Sequence, residues 1–272
     1  MIIKINYKTS YKFTSHVPRL VQSLNIYPTE CKNQKLIDCD IKASQGKLEE
    51  NPVDALGHKT FNIYIKNLIE PQTITMKSTV ETKDYSGVMK GLNESVHPSC
   101  FLRQSNLTKP NTKIINLVKN TNKKDSVEFC HGLNNAAADS IKYLSGSTNI
   151  FTSAINAIEQ GSGVCQDFSH ILISLARSHN FPARYVNGFL LDDSEIAEND
   201  THAWVEIYIN NLGWVGFDPC HKRCINDTYI RVGCGYDFSY TPMIKGVKSN
   251  YNGEEYMSKE LVVQAQSAQS SQ

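Results

Sequence analysis

Three short stretches of this chain carry residue types that could do covalent chemistry. Gly161-Ser162-Gly163-Val164-Cys165-Gln166-Asp167-Phe168 sets a cysteine at the expected first turn of a helix. Backbone N–H groups and the helix dipole favour an anion at such a position, and so favour a thiolate over a thiol. Thr201-His202-Ala203-Trp204-Val205-Glu206 and Gly213-Trp214-Val215-Gly216-Phe217-Asp218-Pro219 follow downstream. Cysteine, then histidine, then aspartate, each at an element end, is an order that thiol acyl transfer can use. The chain reads as a cysteine-nucleophile enzyme.

The roles follow from what attack on an amide requires. Cys165 would attack as thiolate and form a thioester. His202 would hold the thiolate as an ion pair, protonate the departing amine and later activate the acceptor. Asp218 would accept the second imidazole N–H and fix the tautomer. The N–H of Cys165 is a natural oxyanion donor; the sequence does not identify a second, for which Tyr143 is a candidate. Taken alone, each residue has a plainer reading: a buried thiol, a strand histidine, a turn carboxylate before proline.

The elements that must position them are legible in the spacing. Phe168, Ile171, Leu172 and Leu175 follow the i, i+3, i+4, i+7 rule, which predicts a helix from Cys165 to about Asn180, stopped by Phe181-Pro182. Arg184 to Leu190 reads as a strand. His202 to Ile209 alternates, with Ala203, Val205, Ile207 and Ile209 on one face and His202, Trp204, Glu206 and Tyr208 on the other. A turn at Asn210 to Gly213 and a return strand from Trp214 to Asp218 predict a hairpin centred near Asn211. An even register puts His202 and Asp218 on the same face. The two tryptophans are expected in packing or a cleft wall.

The rest of the chain sets bounds. Its 272 residues suffice for one large domain or two modest ones, and 40% hydrophobic with 20% charged residues is ordinary for a globular protein. A net charge of +1 gives no argument for nucleic acid or an anionic membrane as partner. No apolar run reaches the roughly 18 residues of a membrane span. Met1 to Asn6 alternates and lacks the apolar block of a signal peptide, so a cytoplasmic location and reduced thiols are expected for the eight cysteines. A peptide or protein substrate is the expected partner; the oligomeric state is left open. Lys4 to Thr9, Phe61 to Lys66 and Thr73 to Thr82 alternate with period two, predicting an all-β module over residues 1–95. Helical spacing begins at Thr112 (Ile114, Ile115, Leu117, Val118), continues through Leu133, Ala136, Ala137 and Ile141, and returns over Phe151 to Gln160. A catalytic core is therefore expected over 96–263, with a frayed tail over 264–272.

Gly-Val-Cys-Gln-Asp-Phe, His-Ala-Trp-Val-Glu-Ile-Tyr and Gly-Trp-Val-Gly-Phe-Asp-Pro resemble the bacterial transglutaminase-like proteins, often described as transglutaminase-like cysteine proteases. The likeness covers most of the chain. Residues 1–95 resemble the β-rich domain that precedes the core there, Pro98 to Leu102 the linker, and Gly235 to Phe238 with Pro242 to Val247 the C-terminal section. The resemblance implies an α+β fold, a papain-like transglutaminase core preceded by a smaller all-β domain. It also implies a Cys-His-Asp triad on Cys165, His202 and Asp218, with no cofactor. Cys220 departs from the family's usual threonine after Asp-Pro. Asp218-Pro219-Cys220 also resembles the peptide N-glycanase branch, whose zinc-binding Cys-x-x-Cys pairs are missing here.

Weaker signals remain. Cys220, His221, Cys224 and Cys234 could form a zinc cluster, but the ligand set is incomplete and reduced thiols are the simpler reading. Asp192, Asp193, Glu195, Glu198 and Asp200 form an acidic stretch before His202, read as a solvated loop with a wet cleft mouth; its spacing is not that of an EF-hand. His170 should face away from Cys165. Neither a Gly-x-Ser-x-Gly element nor a dinucleotide loop at Gly233-x-Gly235 is supported. Three functions stay open: a peptidase or amidohydrolase, favoured slightly; a transglutaminase-type amine transferase; and a non-catalytic binding module, against which the intact triad counts.

Overall fold

A computed structural model describes residues 1–118, 126–191 and 201–265. The first half is built from β1 (Ile2–Phe13), β2 (Val17–Leu24), β3 (Gln34–Ala43), β4 (Lys47–Glu50), β5 (Phe61–Leu68) and β6 (Gln72–Thr82). Alternation decides their faces: Ile3, Ile5 and Tyr7 of β1 and Ile74, Met76 and Val80 of β6 point into one core, with Leu20, Leu24, Ile63 and Ile65 facing them. A helical segment α1 (Thr112–Ile115) and the longer α2 (Ser126–Ser140) follow, then β7 (Lys142–Tyr143), α3 (Ala154–Gln160), β8 (Ser162–Gly163) and α4 (Cys165–Ser178). Next come β9 (Ala183–Leu190), β10 (His202–Ile209), β11 (Gly213–Asp218), β12 (Arg223–Cys224) and β13 (Tyr229–Gly235). The last two strands are β14 (Ile244–Ser249) and β15 (Glu255–Ala265).

The core is a five-stranded sheet in the order β12-β11-β10-β9-β13, with α4 packed on the face formed by Ala203, Val205, Ile207 and Ile209. Helices α2 and α3 close over α4, so it is buried nearly all round from Asp167 to Arg177. The amphipathic reading of α4 captured only its most apolar stripe. The expected helix from Thr112 is a single turn, and that from Phe151 starts at Ala154, where the Ser153 side chain accepts the Asn156 N–H.

Strand pairing crosses the expected domain boundaries. Strand β15 pairs antiparallel with β1 and β14 with β2, giving sheets β15-β1-β6-β3 and β14-β2-β5-β4. The C-terminal segment thus adds an edge strand to each sheet of the β module. Gln264 and Ala265, assigned to a frayed tail, pair with Lys4 and Ile3; residues 266–272 lie outside the described residues. The physical reason is backbone pairing: without β15 the outer edge of the twelve-residue β1 would be open. Among the described residues no helix is long and apolar enough to cross a membrane.

Candidate active site

Cys165 is the first residue of α4, as its glycine-flanked setting predicts. Val164 before it is extended, and the parallel pair β7–β8 (Tyr143 opposite Gly163) leads the chain in. The entry is fixed by Asp167, whose Oδ2 accepts the Val164 N–H at 2.8 Å and the Thr148 hydroxyl at 2.6 Å. A Cβ at Gly163 would stand 2.7 Å from the Asp167 side chain, so only glycine admits this contact. Burial pushes the Asp167 carboxyl up, and the two hydrogen bonds oppose that.

His202 opens β10 and Asp218 ends β11. The hairpin register pairs Tyr208 with Trp214 and Glu206 with Gly216, with Asn211 and Gly213 at positive φ in the turn. Even-numbered residues of both strands therefore share a face, and His202 Nε2 reaches Asp218 Oδ2 at 2.7 Å. The other ring nitrogen is left for the Cys165 thiol, with which the His202 side chain is hydrogen bonded. Burial works against the imidazolium, but the Asp218 charge and hydrogen bond, followed by the contact with Cys165, outweigh it and raise His202 to about 10.

Asp218 is fully buried and richly solvated by protein donors. Oδ2 accepts from His202, from His221 Nδ1 at 2.8 Å and from the Tyr229 hydroxyl at 2.8 Å. Oδ1 accepts the backbone N–H groups of Cys220 at 2.9 Å and His221 at 3.3 Å. Burial alone would raise this carboxyl; the His202 and His221 partners hold it far below the usual carboxylate range. Tyr229 is pushed up by burial and by the Asp218 charge, so its hydroxyl stays a donor. His221 and Tyr229 are the residues that sequence reading missed in these roles. His221 could have been found from its place three residues after Asp218; Tyr229 arrives from β13, and no local spacing announces it.

Other candidates separate. Cys234 is buried beside His58, with Sγ 3.5 Å from Nε2, while Cys224 lies 3.9 Å from His131, so Cys220, His221, Cys224 and Cys234 do not form one cluster. The donor atoms of His202, Asp218 and His221 do lie within 4.8 Å of one another. Both ring nitrogens already sit at hydrogen-bond distance from one carboxylate oxygen, and a cation would have to displace both protons. His170 is fully buried, its ring 5.4 Å from that of Tyr185, and desolvation lowers it to about 4 despite Asp237. Trp204 and Trp214 are buried in packing. Tyr143 lies beside the strand entering Cys165. The acidic stretch 192–200 lies outside the described residues.

Comparison with known proteins bears on the core and on the fold. Residues 115–219 match the transglutaminase-like superfamily, so the chain carries a transglutaminase-like domain. An uncharacterized protein of Mycobacterium leprae is 32% identical over 133 residues, covering 47% of this chain and 46% of its own. An uncharacterized Mycobacterium tuberculosis protein is 31% identical over 135 residues, covering 46% and 43%. The match spans under half the length of these relatives. A candidate cysteine protease from Cytophaga hutchinsonii superimposes with a TM-score of 0.77 at 21% identity, over 98% of this chain and 91% of its own. That likeness extends the shared α+β fold to the β module.

Proposed function

From a chain that carries a transglutaminase-like core, we propose a thiol-dependent acyl-transfer enzyme acting on peptide or glutamine amides, chiefly as a cysteine peptidase or amidohydrolase. The observation that carries the reading is His202 between the Cys165 thiol and the buried Asp218 carboxylate. The Cys165 thiolate attacks the amide carbonyl carbon, and the C–N bond breaks as His202 gives its proton to the leaving amine. Asp218 keeps Nε2–H in place, so the proton moves at the other nitrogen. The first N–H groups of a helix lack intrahelical acceptors, and that of Cys165 can hold the oxyanion. Neutral His202 then takes a proton from water, which cleaves the thioester and restores the thiol.

The choice between water and an amine as acceptor depends on access to the thioester. A solvent-open cleft of about 980 Å³ reaches Thr201, the residue before His202. Water present at great excess over any amine competes for a thioester unless the site excludes it. The test supplies a glutamine peptide with cadaverine at millimolar concentration and resolves products by mass. Cleaved or deamidated peptide should dominate; a majority of amine adduct would establish the transferase instead.

A further inference from the structure

The cleft that reaches Thr201 is walled by both modules. Phe151 stands on the segment 148–152, tied to the first turns of α4 by Thr148 on Asp167 and by Gln166 on the Asn149 carbonyl. Met257 of β15 lines the same cleft. These two are 79% and 53% exposed, so both offer apolar surface to solvent in one opening. Its 980 Å³ lies at the upper end of the roughly 300–1,000 Å³ typical of ligand pockets, enough for several residues of peptide.

Among the described residues, cations outnumber carboxylates on its walls. Arg103, Lys109, Lys245 and Lys259 line it, against Asp237 and Glu255. Both carboxylates are engaged elsewhere: Asp237 is buried and accepts the Ser239 N–H and hydroxyl, and Glu255 pairs with Lys248. Arg103 is held over the Tyr236 ring at 4.6 Å. Among the described residues, Arg103, Lys109 and Lys245 have no carboxylate partner. Arg103, Lys109 and Lys245, set around an apolar opening that reaches Thr201, are complementary to an anionic, partly apolar chain.

We propose that this cleft receives the substrate chain itself and selects an acidic peptide segment bearing large apolar side chains, beside the amide under attack. The inference rests on the acyl-transfer reading of Cys165 for its substrate role, but the binding it describes does not need the chemistry.

Binding is therefore measured on the Cys165→Ala protein, by anisotropy of a fluorescein-labelled octapeptide alternating glutamate with phenylalanine. Counterparts carry glutamine or lysine in place of glutamate. The glutamate peptide should bind about tenfold or more tighter than the glutamine one at low salt, with the advantage shrinking as salt is added. Lys109→Glu with Lys245→Glu, both exposed positions, should abolish that advantage while leaving binding of the glutamine peptide in place. Equal affinity for the glutamate and glutamine peptides, tighter binding of the lysine peptide, or an unchanged preference in the double variant would overturn the inference. A glutamine-containing acidic peptide that binds with this charge preference but is never turned over by the native protein would instead count against the acyl-transfer reading, with the binding inference standing.

Discussion

Replacing Asp218 with asparagine tests the core of the mechanism, because one carboxylate organises five donors. His202 is raised from 6.5 to about 10, and after the opposing effect of burial Asp218 is the largest cause. A tenfold change in proton affinity corresponds to about 1.4 kcal/mol, so the displacement is worth roughly 5 kcal/mol of preference for the imidazolium. A raised histidine stabilises the fold fully below its ordinary value near 6.5, and that contribution is lost as pH rises through about 10. In Asp218→Asn the neutral amide removes the charge, leaving only the contact with Cys165 to offset the effect of burial on the imidazolium. The alkaline limb of turnover should fall from about 10 toward the ordinary value near 6.5, and turnover near neutrality by about two orders of magnitude or more. The loss of wild-type stability between pH 6.5 and 10 should disappear with it. Turnover against pH, with nitrogen-15 shifts of the His202 ring and urea midpoints at several pH values, reads all three. A variant with near-native turnover, or an unmoved alkaline limb, would remove Asp218 from the role assigned to it.

Iodoacetamide at mildly acidic pH should label Cys165 ahead of the other seven cysteines, and His202→Ala should slow that labelling; peptide mass mapping checks it, and equal labelling of Cys220 or Cys130 would contradict it. Glu206→Gln should lower folding stability by about 3–5 kcal/mol in urea titration, because it leaves the buried Arg184 and Arg231 without their shared carboxylate. Activity should survive EDTA and an EGTA wash, since each ring nitrogen facing Asp218 is already hydrogen bonded; stoichiometric zinc, or loss restored by calcium, would refute this.

The site was readable in sequence where its geometry is local. A hairpin with period-two alternation and a short turn fixes which residues share a face, so the approach of His202 to Asp218 followed from counting. The start of α4 was likewise readable, since glycines, a proline stop and helical spacing bracket Cys165. What escaped depends on distant pairing. Of β15, only Leu261 is buried, and its partner β1 lies some 250 residues earlier, so its sequence gave no periodic signal and no hint of its partner. Strand β3 is an edge strand with a bulge between Leu36 and Asp38, which spoils the alternation that exposed β1 and β6. Tyr229 reaches Asp218 only because β13 joins the sheet beyond β9.

A buried charge network explains why these distant pieces hold register around the site. Glu206 on β10 receives Arg184 of β9 at 2.6 Å and Arg231 of β13 at 2.8 Å, and Glu94 closes on Arg184 at 2.8 Å. Such groups add little net stability over an apolar core, but a one-residue slip would turn a charge to the wrong face and leave it unpaired. The same Arg231 exchanges hydrogen bonds with the β module: its N–H donates to Gln34 Oε1, and its carbonyl accepts from Gln34 Nε2 and from the Thr29 N–H. Two residues earlier on the same strand, Tyr229 donates to Asp218. The β module is therefore bonded to the strand that completes the Asp218 hydrogen-bond set.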